Sequence, residues 1–149
     1  MQDFDLPNFT NDWGRRAEND LIATELDYDP IQQMTEHDIS LAPLNRNQRH
    51  AYTTILLSIK DGLKSVYFMQ EPAGTGKTFL YKVLCNYFRS QGKSVLCVAS
   101  SSIAALLLPG GRTSYSRFKI PIVINESSTC TISSNTLLAG LIKETSLII

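Results

Sequence analysis

Apolar positions divide most of the chain into predicted helices and strands. Helical spacing indicates a helix that begins after Asn45 and ends at residues 61–62, and a second helix that Gly92 closes. Short uninterrupted apolar runs at residues 65–70 and 94–99 predict buried strands. Strands that alternate with helices are typical of a parallel α/β sheet.

Three further elements continue this pattern. Residues 101–108 predict a short helix that stops before Pro109. Asn135 is the expected N-cap of another helix, whose apolar positions are Leu137, Leu138, Leu141 and Ile142. Residues 147–149 are apolar and predict the start of a third strand. We therefore expect an incomplete parallel sheet.

The first 43 residues, called here the acidic lead, differ from residues 44–149. Apolar residues indicate one short helix at 21–26, which Asp29-Pro30 interrupts, and Pro43 marks the boundary. The lead has ten acidic and two basic residues, a net charge of −8, whereas residues 44–149 have four acidic and twelve basic residues, a net charge of +8. We interpret the acidic side chains as a solvated surface. The basic excess suggests an anionic partner.

Composition excludes several classes of protein. A length of 149 residues with 43% hydrophobic and 19% charged side chains suits one globular domain and not a disordered chain. No apolar run approaches the roughly 20 residues that a membrane span needs, and the acidic N-terminus does not resemble a secretory signal. Cys85, Cys97 and Cys130 lack the spacing of a metal site or a disulfide framework, so we expect reduced thiols in an intracellular protein.

The sequence Gly74-Thr75-Gly76-Lys77-Thr78 lies between a predicted strand and a predicted helix, as a phosphate-binding loop does. Glycines let successive backbone N–H groups converge on phosphate oxygens, and the helix adds the positive end of its dipole. Lys77 is expected to contact the β- and γ-phosphates, and the Thr78 hydroxyl is expected to hold magnesium. The alternative is an ordinary turn between a strand and a helix.

Glu71 departs from the loop pattern G-x-x-x-x-G-K-[ST], whose first position is glycine. A residue other than glycine is strained there if the backbone φ is positive. A carboxylate also repels a triphosphate. We expect weaker nucleotide binding with an intact fold, unless Glu71 points to solvent and has little effect.

Four motifs follow one another along the chain, at residues 44–48 (LNRNQ), 71–78 (EPAGTGKT), 99–113 and 116–121. Together they resemble the PIF-type DNA helicases of superfamily one, and most of all the branch found in Helitron transposons. The resemblance covers residues 44–149, and the acidic lead resembles the segment before the helicase core in that branch. It implies a P-loop NTPase (RecA-like) fold, ATP and magnesium as cofactors, and five-prime to three-prime DNA unwinding.

The resemblance assigns a role to each matching residue of the nucleotide site. Gln48 matches the glutamine that reads adenine, and an amide can both donate to and accept from an adenine edge. The phosphate and magnesium site corresponds to Ala73, Gly74, Thr75, Gly76, Lys77 and Thr78. Lys77 and Thr78 are the catalytic candidates. Gln48 could instead only cap its helix, or do both.

The resemblance also implies a surface for single-stranded DNA. The matching residues are Ser100, Ser101, Ile103, Ala104, Arg112, Thr113, Ser116, Arg117 and Lys119. Hydroxyl residues at a helix start suit phosphate contacts, and a basic segment suits a nucleic-acid backbone. The serines could equally be N-caps and the basic segment an ordinary surface loop, and we expect Phe118 in the core.

The family continues from a segment like residues 143–149 into an Asp-Glu pair that holds magnesium and activates water. We therefore expect the chain to be an N-terminal part of the first motor domain, with ATP and single-stranded DNA as partners and little activity alone. One alternative is a nucleotide-binding remnant without catalysis. Another is a small P-loop kinase, which the absence of a lid or acceptor motif disfavours. A nuclear location follows from the family only.

Overall fold

The computed structural model of the chain describes residues 19–149, and the predictions for residues 1–18 lie outside it. The helices and strands of the described residues follow one another in this order: α1 Asp20–Leu26, α2 Pro30–Leu41, α3 Arg46–Lys60, α4 Lys77–Ser90, β1 Val95–Leu96, β2 Val98–Ala99, α5 Ser102–Leu106, β3 Arg112–Thr113, α6 Ser114–Phe118, α7 Leu137–Glu144 and β4 Leu147–Ile148. The predicted helices on either side of the glycine-rich loop are confirmed as α3 and α4.

The strands pair in parallel. β1 pairs with β4, with Val95 opposite Leu147, and β2 pairs with β3, with Val98 opposite Arg112. β1 and β2 are separated by Cys97 alone, so the stretch 95–99 has β4 on one side and β3 on the other. The mixed helix and strand order with parallel pairing is therefore confirmed, and the third strand begins where the sequence indicates.

α4 lies at the centre of the apolar core. Leu80, Val83, Leu84 and Phe88 are each at most 1% exposed, and they form one cluster with side chains of α3 and β1. Burying each of these side chains contributes about 1.5–3 kcal/mol. The core therefore fixes α4 firmly, and with it Lys77, its first residue.

Residues 65–70 form no strand, so the buried strand predicted before the loop is wrong. Val66 and Phe68 are 98% and 89% exposed, and no described strand pairs with this segment. Strand-forming side chains give a strand only where pairing and burial are both realised, and here neither is: the outer edge of β4 stays unpaired within the described residues. The segment instead borders an open, largely apolar cavity of about 800 Å³, together with Ile55 and β4.

The sequence pattern does not predict α2, whose first residue is Pro30. The buried residues of this helix are the polar Gln33 and His37, while Ile31 is 79% exposed. α2 therefore lacks the apolar stripe by which amphipathic helices are found. It packs against α4, and the His37 Nε2 atom lies 2.8 Å from the Tyr52 hydroxyl in α3. The described part of the acidic lead is thus packed on the core, and the boundary at residue 43 stays a prediction.

One predicted helix cap is displaced by a residue. The N-cap of α7 is Thr136 and not Asn135, because the Thr136 Oγ1 atom accepts a hydrogen bond of 3.2 Å from the Ala139 backbone nitrogen. Asn and Thr are both good N-caps, so composition alone does not choose between adjacent candidates. The short helix predicted at residues 21–26 is confirmed as α1.

Candidate functional site

Two glycines shape the loop that precedes α4. Gly74 has a φ of 79° and Gly76 a φ of 85°, which is the left-handed region that favours glycine. A Cβ atom on Gly76 would also lie 2.6 Å from the Gln48 Nε2 atom. Gly76 is the N-cap of α4, so the loop leads directly into the helix N-terminus. A side chain at position 76 would therefore displace the Gln48 amide that contacts the loop.

The Lys77 ammonium folds back across the mouth of the loop. Its Nζ atom donates hydrogen bonds of 2.7 Å to the carbonyl oxygens of Glu71 and Pro72. The loop is braced further because the Thr75 hydroxyl donates to the Pro72 carbonyl at 2.9 Å. The positive charge of Lys77 is therefore held beside the glycine turn, within reach of any anion bound there.

The residues of the loop fit a magnesium-bound nucleotide. The glycine turn and the N-terminus of α4 offer backbone N–H groups and a positive dipole to phosphate oxygens. Lys77 supplies an ammonium, and the half-buried Thr78 supplies a hydroxyl oxygen as second residue of the helix. Oxygen ligands of this kind are the ones magnesium prefers.

Both polar atoms of the Gln48 side-chain amide form hydrogen bonds. Its Oε1 atom accepts from the Asn45 backbone nitrogen at 3.0 Å, and the Asn45 side chain accepts from the Gln48 backbone nitrogen at 2.9 Å, which is the capping box of α3. The Gln48 Nε2 atom donates to the Thr75 carbonyl at 3.0 Å. The predicted cap is confirmed, and the contact with the loop is one that sequence reasoning misses. The reading of adenine by Gln48 stays a prediction.

A cavity of about 80 Å³ lies beside Gln48, with Glu71 and Lys77 in its lining. Glu71 is exposed and is not among the described residues with a positive φ. The strain expected at the first loop position is therefore absent. What Glu71 adds is a negative charge on an exposed residue beside the glycine loop.

Parallel pairing brings two sequence-distant groups of DNA candidates to one edge of the sheet. Ala99 at the end of β2 lies opposite Thr113 at the end of β3, so Ser100 and Ser101 emerge beside the start of α6. Ser101 caps α5 by accepting from the Ala104 backbone nitrogen, and Thr113 caps α6 by accepting from the Ser116 backbone nitrogen. The capping alternative is confirmed for Ser101, whereas the cap at Thr113 is one that the sequence analysis does not predict.

Exposure separates the DNA candidates. The exposed candidates are Ser100, Ser101, Ile103, Arg112, Ser116 and Lys119. The half-buried candidates are Ala104 and Thr113, and Phe118, which follows Arg117 in the sequence, is also half-buried. Arg117 is 6% exposed and forms a close buried ion pair with Glu25 of α1. Its guanidinium is therefore turned away from solvent, and we remove Arg117 from the surface considered for DNA. Glu25 lies 92 positions before Arg117 in the sequence, so no local sequence pattern indicates this ion pair.

The comparisons with known proteins bear on the whole of this site. The family model for PIF1-like helicases matches residues 43–149, which is more than two thirds of the chain. The chain belongs to the PIF1-like helicase family. A search of curated proteins finds no match.

Membership of the PIF1-like helicase family confirms the resemblance to PIF-type helicases found in the sequence, and the Helitron-like branch stays a prediction. The family is one of ATP-dependent helicases, which bind ATP and DNA. The match includes the glycine loop, Gln48 and the edge of the sheet where Ser100 and Ser116 lie. Among residues 19–149 of this PIF1-like helicase chain, no helix is long and apolar enough to cross a membrane.

Proposed function

We propose that this chain binds ATP with magnesium at residues 73–78 and single-stranded DNA at one edge of its sheet, as the nucleotide-binding part of a five-prime to three-prime DNA helicase of the Helitron-like branch. The observation that carries the proposal is the left-handed glycine pair that leads into α4, with Lys77 as its first residue. The order of motifs along the sequence supports the Helitron-like branch. Action on DNA favours a nuclear location.

Nucleotide binding is coupled to a rearrangement of Lys77. In the structure its ammonium holds the carbonyls of Glu71 and Pro72, and it exchanges these partners for phosphate oxygens when ATP binds. Backbone N–H groups at Gly74 and Gly76 hold the phosphates, and Thr78 holds magnesium, which neutralises charge on them. Gln48 keeps the loop in place through the Thr75 carbonyl.

The DNA surface is proposed from the exposed members of the predicted set. Ser100, Ser101 and Ser116 carry hydroxyls, and Arg112 and Lys119 carry positive charge, all exposed near the ends of β2 and β3. Such groups contact phosphates and not base edges. We therefore expect binding that depends on salt and little on base sequence.

Calorimetry with Mg·ADP and Mg·ATP tests the nucleotide site. Replacement of Lys77 by alanine removes a charge-assisted interaction of about 1.5–3 kcal/mol, so Lys77→Ala should weaken binding at least about tenfold. Lys82→Ala removes an exposed lysine from the same helix and should bind like the wild type. Equal affinities of wild type and Lys77→Ala would exclude the site.

We further propose that this chain binds ATP without rapid turnover. Among the described residues that line the cavity beside the loop, the one carboxylate is Glu71. Phosphoryl transfer requires groups that position water and stabilise charge, and an arginine finger alone contributes on the order of 10³–10⁵ in rate. A phosphate-release assay with and without single-stranded DNA tests this. Turnover that DNA stimulates and that Lys77→Ala abolishes would contradict the non-catalytic alternative.

A further inference from the structure

Two cysteines meet in the core behind the nucleotide loop. Cys85 lies on α4 and Cys97 lies between β1 and β2, and both are at most 1% exposed. Their Sγ atoms are 3.3 Å apart and share a hydrogen bond. A disulfide bond is about 2.05 Å long, so the sulfurs need to approach each other by roughly 1.2 Å to form one.

Two buried arginines and one buried carboxylate influence this pair. Arg89 and Arg117 are 3% and 6% exposed, and Glu25 is the buried carboxylate that pairs with Arg117. The Nε atoms of both arginines have no hydrogen-bond partner within the described residues. Two guanidiniums against one carboxylate leave a surplus positive charge, which a thiolate would balance.

The two thiols are not equivalent. The hydrogen bond from Cys85 lowers the pKa of Cys97, and Arg89 and Arg117 act in the same direction, while burial and the negative charge of Glu25 oppose them. The same hydrogen bond, together with burial, raises the pKa of Cys85. Cys97 is therefore the nucleophile of the pair, because the thiolate and not the thiol reacts.

We propose that Cys85 and Cys97 form a redox-active dithiol, which hydrogen peroxide converts into an intramolecular disulfide. The Cys97 thiolate attacks one peroxide oxygen; an S–O bond forms, the O–O bond breaks and hydroxide leaves. The Cys85 sulfur then attacks the Cys97 sulfenic acid; the S–S bond forms, the S–O bond breaks, and the oxygen leaves as water with the Cys85 proton. Two thiols are oxidised, and one peroxide is reduced to two waters.

The disulfide would join the helix that begins with Lys77 to the central strand of the sheet. It would close a loop from residue 85 to residue 97, and such a cross-link stabilises the folded state mainly by restricting the unfolded chain. We expect the oxidised protein to have a higher melting temperature. A reductant such as dithiothreitol should reverse the change.

The test uses the full chain with Cys130→Ser, because Cys130 is exposed and would form bonds between chains. The protein is treated with hydrogen peroxide in native buffer, unreacted thiols are alkylated, and tryptic peptides are analysed without reduction. Peptide 83–89 should appear linked to peptide 94–112, with a loss of two thiols and about 2 Da per chain. Dithiothreitol should release the two peptides.

The variant Cys85→Ala in the same background removes the resolving thiol. It should give a Cys97 sulfenic acid that dimedone traps, and no linked peptide. The peptide analysis of the Cys130→Ser protein tests the proposal even if the variant that also carries Cys85→Ala does not fold. The proposal is overturned if both peptides stay alkylated under conditions that oxidise Cys130 in the wild type, or if the linked peptide forms only in urea.

Discussion

Glu71 is an exposed carboxylate residue that lines the cavity beside the loop proposed to bind nucleotide. Its backbone is unstrained, so any effect on nucleotide binding comes from charge and is removed by an isosteric amide. Glu71→Gln should tighten Mg·ATP binding by about 1.4- to fivefold, as exposed charge pairs contribute about 0.2–1 kcal/mol. Calorimetry at low and high salt measures the gain, which salt should reduce.

Glu144→Gln serves as the matched control for this change. Glu144 is an exposed carboxylate at the end of α7 and lies outside the lining of the loop cavity. Its replacement removes the same charge from the chain and should leave affinity unchanged. An equal gain in both variants would mean that overall charge, and not the position of Glu71, governs binding.

Gln48 offers a test that separates two roles. If it positions the loop through the Thr75 carbonyl, Gln48→Ala should weaken Mg·ATP and Mg·GTP by the same factor, about three- to tenfold for one lost hydrogen bond. If it reads adenine, the variant should lose its preference for ATP over GTP. Titration of both nucleotides against wild type and variant measures these factors.

Asn45→Ala controls for the helix cap that Gln48 also completes. This variant loses the hydrogen bond from the Gln48 backbone nitrogen but retains the bond from Gln48 to the Thr75 carbonyl. It should lower the free energy of unfolding by about 1 kcal/mol without changing nucleotide affinity. A loss of affinity equal to that of Gln48→Ala would show that capping, and not the contact with the loop, matters.

At the level of elements, the ion pair between Glu25 and Arg117 ties α1 to α6. Both side chains are buried, so removal of one charge leaves the other unpaired in the interior. Glu25→Gln should lower the free energy of unfolding by about 3–5 kcal/mol, measured by urea denaturation. Asp20→Asn, an exposed change in the same helix, should alter it by less than about 0.5 kcal/mol.

The double variant Glu25→Gln/Arg117→Met completes this experiment. With both charges of this pair removed, neither is left buried without its partner, so the double variant should recover much of the lost stability. A double variant that is less stable than Glu25→Gln would show that Arg117 contributes through other contacts. DNA affinity should be the same in all folded variants, because Arg117 is turned away from solvent.

Elements whose signals are local could be predicted from the sequence, and elements that depend on distant partners could not. α3 and α4 each carry an apolar stripe. A capping box begins α3 and Gly92 follows the end of α4, so each signal lies within or next to the helix that it predicts. α2 buries the polar Gln33 and His37, and the Tyr52 hydroxyl that His37 contacts lies on α3. The pattern of α2 alone therefore looks like that of a surface helix. Residues 65–70 have strand-forming side chains but pair with no described strand. The sequence shows the strand-forming side chains and does not show whether a strand pairs with them.

The same distinction holds for the site. The glycine loop, Lys77 and Thr78 could be found because their spacing is local and their chemistry is specific. The bond from Gln48 to Thr75 spans 27 positions and the pairing of Arg117 with Glu25 spans 92. Nothing near either residue in the sequence indicates these contacts.

For the whole molecule, charge distribution governs the expected DNA binding. In a plot of log affinity against log salt concentration, each contact with a phosphate of a single strand makes the slope steeper by about 0.7. Arg112→Gln/Lys119→Gln should therefore reduce that slope by about 1.4, measured by fluorescence anisotropy with a labelled oligonucleotide at several salt concentrations. The effect should be the same for different base sequences.

Lys82→Gln/Lys143→Gln is the control of equal charge. Both lysines are exposed and lie on α4 and α7, outside the predicted DNA set. This variant should keep the wild-type slope. Equal reductions in the two double variants would mean that DNA responds to net charge and not to the edge formed by β2 and β3.

The open cavity beside residues 65–70 has a consequence for the heat capacity of the protein. Its apolar lining is hydrated while the chain is folded, so unfolding transfers less new apolar surface to water than in a chain of this length with a closed core. Each Å² of newly exposed apolar surface adds about 0.45 cal/K/mol to the heat capacity of unfolding. The curve of stability against temperature should therefore be flatter, with a smaller difference in stability between the cold room and body temperature.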